Sequence, residues 1–170
     1  LVFFLGGYGF KIVFFHSRDK GLTNSNPLSF KAIDEDSLPK VDVLVAARDE
    51  EAVIERLVYR IASLRYPKHK LSTWIIDDGS QDRTGDILTK LEREFQALHV
   101  IRRSTSAGGG KSGALNTALK KAQGDWLLIL DADAQLQEDS LYRLLSFANQ
   151  GGWSAVQLRK AVINSSQNYL

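Results

Sequence analysis

The 170-residue chain contains no cysteine and no methionine. Without cysteine, disulfides and thiolate metal sites are excluded, a composition that suits the cytosol. Without methionine there is no initiator. With an apolar start at Leu1 and no terminal signature at Tyr169-Leu170, the chain is expected to be a piece of a longer protein. Charge of one sign is also scarce: 22 Lys and Arg stand against 20 Asp and Glu, a net +2 with no long like-charged block. That balance supplies no nucleic-acid surface. No internal repeat or low-complexity tract is found, and the start lacks the basic residues and small-residue cleavage site of a secretory signal. What is present is a 44% share of hydrophobic residues, over a length that makes one domain with a proper core.

Residues 1–15 are apolar except for Lys11 and are broken by Gly6, Gly7 and Gly9. The run is shorter than the ~20 residues that span a bilayer. It is expected to be the remnant of a membrane helix, since a soluble domain seldom exposes such a run; the plainer alternative is a hydrophobic arm packed on the domain. Residues 16–40 are polar, with Gly21, Asn24, Asn26 and Pro27, and read as a linker. From 41 to 170 strand and helix patterns alternate. Apolar runs predict strands at 41–47, 71–76, 98–102, 126–130 and 153–162. Helical spacing appears in Ile54, Leu57, Val58 and Ile61, with Asp49 as a candidate cap. It recurs in Ile87, Leu88, Leu91 and Phe95, in Leu115, Ala118, Leu119 and Ala122, and in Leu141, Leu144, Leu145 and Ala148. Strict alternation predicts an α/β fold, a mainly parallel twisted sheet with helices on both faces.

The loops that leave the carboxyl ends of such strands share one edge, where open α/β sheets bind ligands. Four unusual segments fall there: Arg48-Asp49-Glu50, Asp77-Asp78-Gly79-Ser80, residues 107–112 and Asp131-Ala132-Asp133. The last ends an apolar strand with two carboxylates one residue apart. Alternate side chains project the same way from an extended or tightly turned backbone, so both can converge on one hard divalent cation such as Mg²⁺ or Mn²⁺. Any one segment has a plain reading as helix capping or turn chemistry. Together they predict a metal-nucleotide site. Two other phosphate motifs fail by residue. Gly110-Lys111-Ser112 ends like a phosphate loop, but Thr105 stands where the first glycine belongs. The aspartyl-phosphate pattern D-x-D-x-[TV] fails at Gln135 and in its late position in the chain.

The ordered set AARDEE, IIDDGSQDRT, GGGKSGALN and DAD resembles the family-2 glycosyltransferases, inverting enzymes with the Rossmann-like GT-A nucleotide-sugar fold. The resemblance runs from about Val41 to Asn164, and Asp49 departs from the more usual asparagine. The segment Val156-Gln157-Leu158-Arg159 looks like the strand after the metal triplet in membrane-bound, processive-type members. Carried over by position, the resemblance gives Ala47, Glu50 and Asp78, with Asp77 nearby, to the nucleoside. Lys111 would lie by the ribose or diphosphate, Asp131 would face nucleotide and sugar, and Asp133 would coordinate the metal, with Asp131 beside it. It implies a UDP-sugar donor, a polysaccharide or lipid acceptor and Mg²⁺ or Mn²⁺. It further implies a membrane-associated protein with its catalytic domain cytoplasmic. The family's general base is expected beyond Leu170, so residues 41–170 would be a donor half without the acceptor half; Glu138 and Asp139 read instead as the acidic first turn of a helix. A non-catalytic nucleotide-sugar-binding or decayed domain is the alternative.

Overall fold

The computed structural model describes residues 11–17 and 35–160, with side chains from 35 to 156. Six strands and four helices follow one another as β1 (Lys11–Ser17), β2 (Val41–Ala47), α1 (Ile54–Ala62), β3 (Leu71–Asp77), α2 (Thr84–Glu94), β4 (Leu98–Arg102), α3 (Gly110–Leu119), β5 (Trp126–Leu130), α4 (Ser140–Gln150) and β6 (Ala155–Lys160). All the strand pairs are parallel, in the order β4-β3-β2-β5-β1-β6. Central strands of a parallel sheet are buried on both faces and need continuous apolar runs. Accordingly Val41, Val43, Leu44, Val45 and Ala47 of β2 and Trp126, Leu127, Leu128 and Leu130 of β5 are buried.

The two faces carry separate cores. On one, Ile54, Leu57 and Ile61 of α1, Leu88 and Leu91 of α2, and Leu141 and Leu144 of α4 pack against Val43, Val45 and Leu128. On the other, Ala114 and Ala118 of α3 pack against Leu44, Ile76 and Leu127. The α/β layering expected from the alternation is the observed one. The sheet order adds what alternation leaves open. From β2 the chain steps outward through β3 to β4, and then α3 carries it back across to β5 on the other side of β2. The strand order therefore reverses between β2 and β5, and the crevice outside such a reversal is where ligands sit in open α/β sheets.

Four details bear on the sequence expectations. Residues 1–10 of the apolar arm lie outside the described residues, and residues 11–15 run as the start of β1, between β5 and β6; Ile12, Val13, Phe14 and Phe15 are strand-favouring types. Of the expected linker, 18–34 are outside the described residues and 35–37 form a single 3₁₀ turn. Helix α1 starts at Ile54 with no side-chain cap, and Asp49 sits five residues earlier in a left-handed bend at φ 55°. Of the expected last strand, 155–160 is strand, and 161 onward lies outside the described residues.

Candidate functional site

Each strand of the β4-β3-β2-β5 set hands the chain to a loop at the carboxyl edge, and these loops bond to one another. The loop after β2 is stitched to the loop after β3 by reciprocal hydrogen bonds. The Asp49 N–H donates to Ser80 Oγ at 3.0 Å, and the Gln81 N–H donates back to Asp49 Oδ1 at 2.7 Å. The Glu50 N–H donates to Oγ1 of the fully buried Thr84 at 2.8 Å, and the Glu51 N–H to Asp82 Oδ2 at 3.0 Å. Asp49 can hold φ 55° because short polar side chains tolerate the left-handed region. The bond that its Oδ1 accepts there is one an asparagine carbonyl would accept equally. Asp82 is pushed up by burial, but bonds from the Thr84 hydroxyl and from the Thr84 and Glu51 N–H groups outweigh that and lower its pKa.

The glycine loop before α3 closes onto the same edge. Gly79 has φ 73°, and a Cβ there would meet the Thr105 backbone at 2.8 Å. The loop is held from inside by Arg103, which follows β4. Its Nη1 donates to Asp78 Oδ1 at 2.7 Å and its Nη2 to the Gly108 carbonyl at 2.5 Å. The side chains of this ion pair are only 9% and 12% exposed.

At the end of β5 the triplet alternates as expected. Ala132 and Ala134 are buried in the core, while Asp131 is half-buried and Asp133 exposed. Lys111, in the first turn of α3, makes an ion pair with Asp131 Oδ1. Glu50, across the crevice from β5, has its pKa raised first by burial and then by the negative charges of Asp133, Asp131, Asp82 and Asp49. The charges of Asp133 and Asp131, at the end of β5, thus bear on Glu50, in the loop after β2, across the strand reversal. Among the described residues no three His, Cys, Asp or Glu side chains are grouped to hold a metal ion by themselves. The donor set is nonetheless oxygen-only and anionic, which fits a hard divalent cation that takes its remaining ligands from phosphate and water.

The other expected site residues are placed as follows. Ala47 is buried and takes part through its backbone, its carbonyl accepting the Asp78 N–H at 2.9 Å. Asp77 is 7% exposed and turned toward the start of α2: its Oδ1 accepts the Ser80 N–H at 2.9 Å, and a Cβ on Gly85 would lie 3.2 Å from its Oδ2. It stands apart from the Glu50–Asp131–Asp133 group. Glu138 is engaged by Arg65 at 3.2 Å and Asp139 lies 4.0 Å from Arg143 at the head of α4. Sequence reasoning passed over Arg103 and Thr84. The signal was a second arginine just past the end of β4, directly before a glycine-rich loop.

Residues 42–169 match the family model described as Glycosyl transferase family 2. The chain is 42% identical over 149 residues to beta-monoglucosyldiacylglycerol synthase of Trichormus variabilis, covering 88% of this chain and 32% of that protein. It therefore spans about a third of the length of that relative. Among solved structures, a mannosyltransferase from Pyrobaculum calidifontis in complex with GDP-Man and Mn²⁺ is similar with a TM-score of 0.62 and 30% identity, over 68% of this chain and 34% of that one. TarS of S. aureus in complex with UDP-GlcNAc is similar with a TM-score of 0.56 and 30% identity, over 65% and 31%.

Proposed function

This chain belongs to glycosyl transferase family 2, and from that premise we infer that its carboxyl-edge crevice is the donor site of an inverting, metal-assisted transferase that moves a sugar from a UDP-sugar to a lipid acceptor. The observation that carries the reading is the position of Glu50, Asp131 and Asp133 on either side of the strand reversal between β2 and β5. A sheet gains nothing in stability by gathering like charges at one point. A ligand that brings positive charge there does.

Each residue then has a task its chemistry suits. Asp78 accepts the imino N–H of uracil and discriminates against bases that present an acceptor there. Glu50 and the Ala47 backbone line the nucleoside side. Lys111, already paired with an anion, contacts the diphosphate or the neighbouring ribose. Asp131 faces nucleotide and sugar, and Asp133, with Asp131, would hold Mg²⁺ or Mn²⁺. That cation, when bound, offsets the charge that develops on the departing diphosphate. In the transfer the acceptor oxygen bonds to the anomeric carbon as the carbon–phosphate oxygen bond breaks, and a base takes the acceptor proton. Glu138 faces Arg65 and Asp139 faces Arg143 in partly exposed ion pairs, and we place that base beyond Leu170, in an acceptor half. The relative's name carries the lipid reading: it is a synthase of beta-monoglucosyldiacylglycerol. Membrane attachment of the whole protein goes with such an acceptor, although no helix among the described residues is long and apolar enough to cross a bilayer.

Calorimetry of UDP binding in Mn²⁺ and in EDTA tests the reading. We expect binding that requires the cation in the wild type, and Asp133→Ala to abolish that requirement. Equal affinity for UDP in both buffers would overturn the metal role.

A further inference from the structure

Base recognition and diphosphate recognition fall on different loops, the first after β3 and the second before α3. One side chain joins them. From the end of β4, Arg103 sends Nη1 to Asp78 Oδ1 at 2.7 Å, and the same nitrogen lies 3.4 Å from the Gly110 carbonyl. Its Nη2 donates to the Gly108 carbonyl at 2.5 Å. The guanidinium is planar, with its donors in a fixed fork, so orienting it on the carboxylate also orients the loop carbonyls. The position is nearly buried, where such bonds are stronger than in water.

A second observation shows that the fold is cut to admit this fork. Gly113 lies in the first turn of α3 and needs no unusual φ. A Cβ there would meet the Gly108 carbonyl at 2.8 Å and Arg103 Nη2 at 3.1 Å. Glycine costs helix stability relative to alanine, by about 1 kcal/mol in a helix interior. Its presence is explained by the room the arginine and the loop carbonyl take up. Arg103 thus fixes the Asp78 carboxylate through Oδ1.

Resting on the donor-site reading above, we infer that Arg103 is a positioning residue that couples the nucleobase-reading carboxylate of Asp78 to the glycine loop carrying Lys111. Base selectivity and loop order then rise and fall together. Binding the correct base steadies Asp78, Arg103 and the loop as one unit, and a wrong base fails to order the diphosphate side.

The test compares the wild type with Arg103→Lys and Gly113→Ala, since removing the arginine entirely would strand a nearly buried carboxylate and risk unfolding. Lysine keeps the charge and loses the fork; the added methyl of Gly113→Ala disturbs the same fork from the loop side. Binding of UDP and CDP in Mn²⁺ is measured by calorimetry, and amide exchange of residues 104–113 by hydrogen–deuterium exchange. We expect each variant to weaken UDP about tenfold, the scale of one charge-assisted hydrogen bond, to narrow the preference for UDP over CDP, and to speed exchange in the glycine loop. The double variant should lose less than the product of the single effects, because both act on one contact. Folded variants with wild-type selectivity and loop exchange would overturn the inference, as would equal losses for UDP and CDP. If the wild type binds neither nucleotide, the donor-site reading fails. The loop exchange still decides whether Arg103 holds the loop.

Discussion

Both edges of the sheet hold carboxylates, and Asp42 at the amino edge is treated in the opposite way from Glu50, Asp131 and Asp133 at the carboxyl edge. At the amino edge, Asp42 at the start of β2 is 4% exposed and accepts three donors. Its Oδ1 takes the Trp74 Nε1–H at 3.0 Å, and its Oδ2 takes the backbone N–H groups of Gln123, at 2.7 Å, and Gly124. Gly124 is cut to fit: a Cβ there would lie 2.9 Å from Asp42 N and Oδ2. The carboxylate ties β2, β3 and the approach to β5 together. At the carboxyl edge, Glu50, Asp131 and Asp133 are more exposed, the negative charges of Asp133 and Asp131 bear on Glu50, and Lys111, which pairs with Asp131, is itself 56% exposed. A carboxylate whose donors all come from the protein is spent on the fold. One that faces other carboxylates raises the energy of the empty protein and lowers it again only when something binds.

The sharpest way to test the contrast is to remove the amino-edge carboxylate. Asp42→Ala leaves the Trp74, Gln123 and Gly124 donors buried without their acceptor, each a desolvation penalty in its own right. We expect a loss of about 3 kcal/mol or more in urea unfolding, on the scale of stranding several buried donors, with UDP affinity of the folded fraction unchanged. A loss below ~1 kcal/mol would mean that Asp42 is not a structural clamp.

This contrast also explains what the sequence discloses. Carboxylates at the carboxyl edge come in doublets and triplets at strand ends, so Asp78, Asp131 and Asp133 stand out by spacing alone. Asp42 is a single acid inside an apolar run and carries no pattern; only the register that sets it beside Trp74 and Gly124 makes it meaningful. Asp77 shares a doublet with Asp78, yet the pleat sends neighbouring side chains apart, one toward Ser80 and α2, the other to Arg103. Helices α1, α2 and α4 are legible from leucine and isoleucine at helical spacing. Helix α3 is legible too, from Leu115, Ala118, Leu119 and Ala122, but of its own residues it buries only Ala114 and Ala118, and the crossing back to β5 is a matter of strand order that no hydrophobic period announces. Residues 11–15 escape for a related reason: a continuous apolar run suits a buried strand as well as a helix.

A smaller effect is expected at Lys111. Its pair with Asp131 is 56% and 44% exposed on the two sides, and exposed pairs contribute ~0–1 kcal/mol. As a lysine in the first turn of α3 it also opposes the positive end of the helix dipole. Lys111→Ala should therefore leave the unfolding free energy within about 0.5 kcal/mol of wild type, in contrast to Asp42→Ala. It should weaken UDP more than uridine, because only UDP carries the phosphates. Calorimetry with both ligands decides: equal losses, or none, would remove Lys111 from the diphosphate.

The smallest and most specific effect is the titration of Glu50. Its pKa lies above 4.5, raised first by burial and then by Asp133, Asp131, Asp82 and Asp49 in that order. The native protein therefore keeps this proton to a higher pH than the unfolded chain does. Its contribution to stability is complete below 4.5 and is lost as pH rises through the raised value. Asp133→Asn removes one repelling charge, so Glu50 should titrate closer to 4.5 without reaching it, since burial remains. Asp131→Asn should move it less, because Asp131 is the weaker of the two and Lys111 already faces it. Both substitutions should also reduce the stability lost as pH rises. An NMR titration of the Glu50 side-chain carboxyl reads the shift directly. If Glu50 titrates identically in wild type and Asp133→Asn, the two carboxylates do not share a crevice, and the carboxyl edge is as inert as the amino edge.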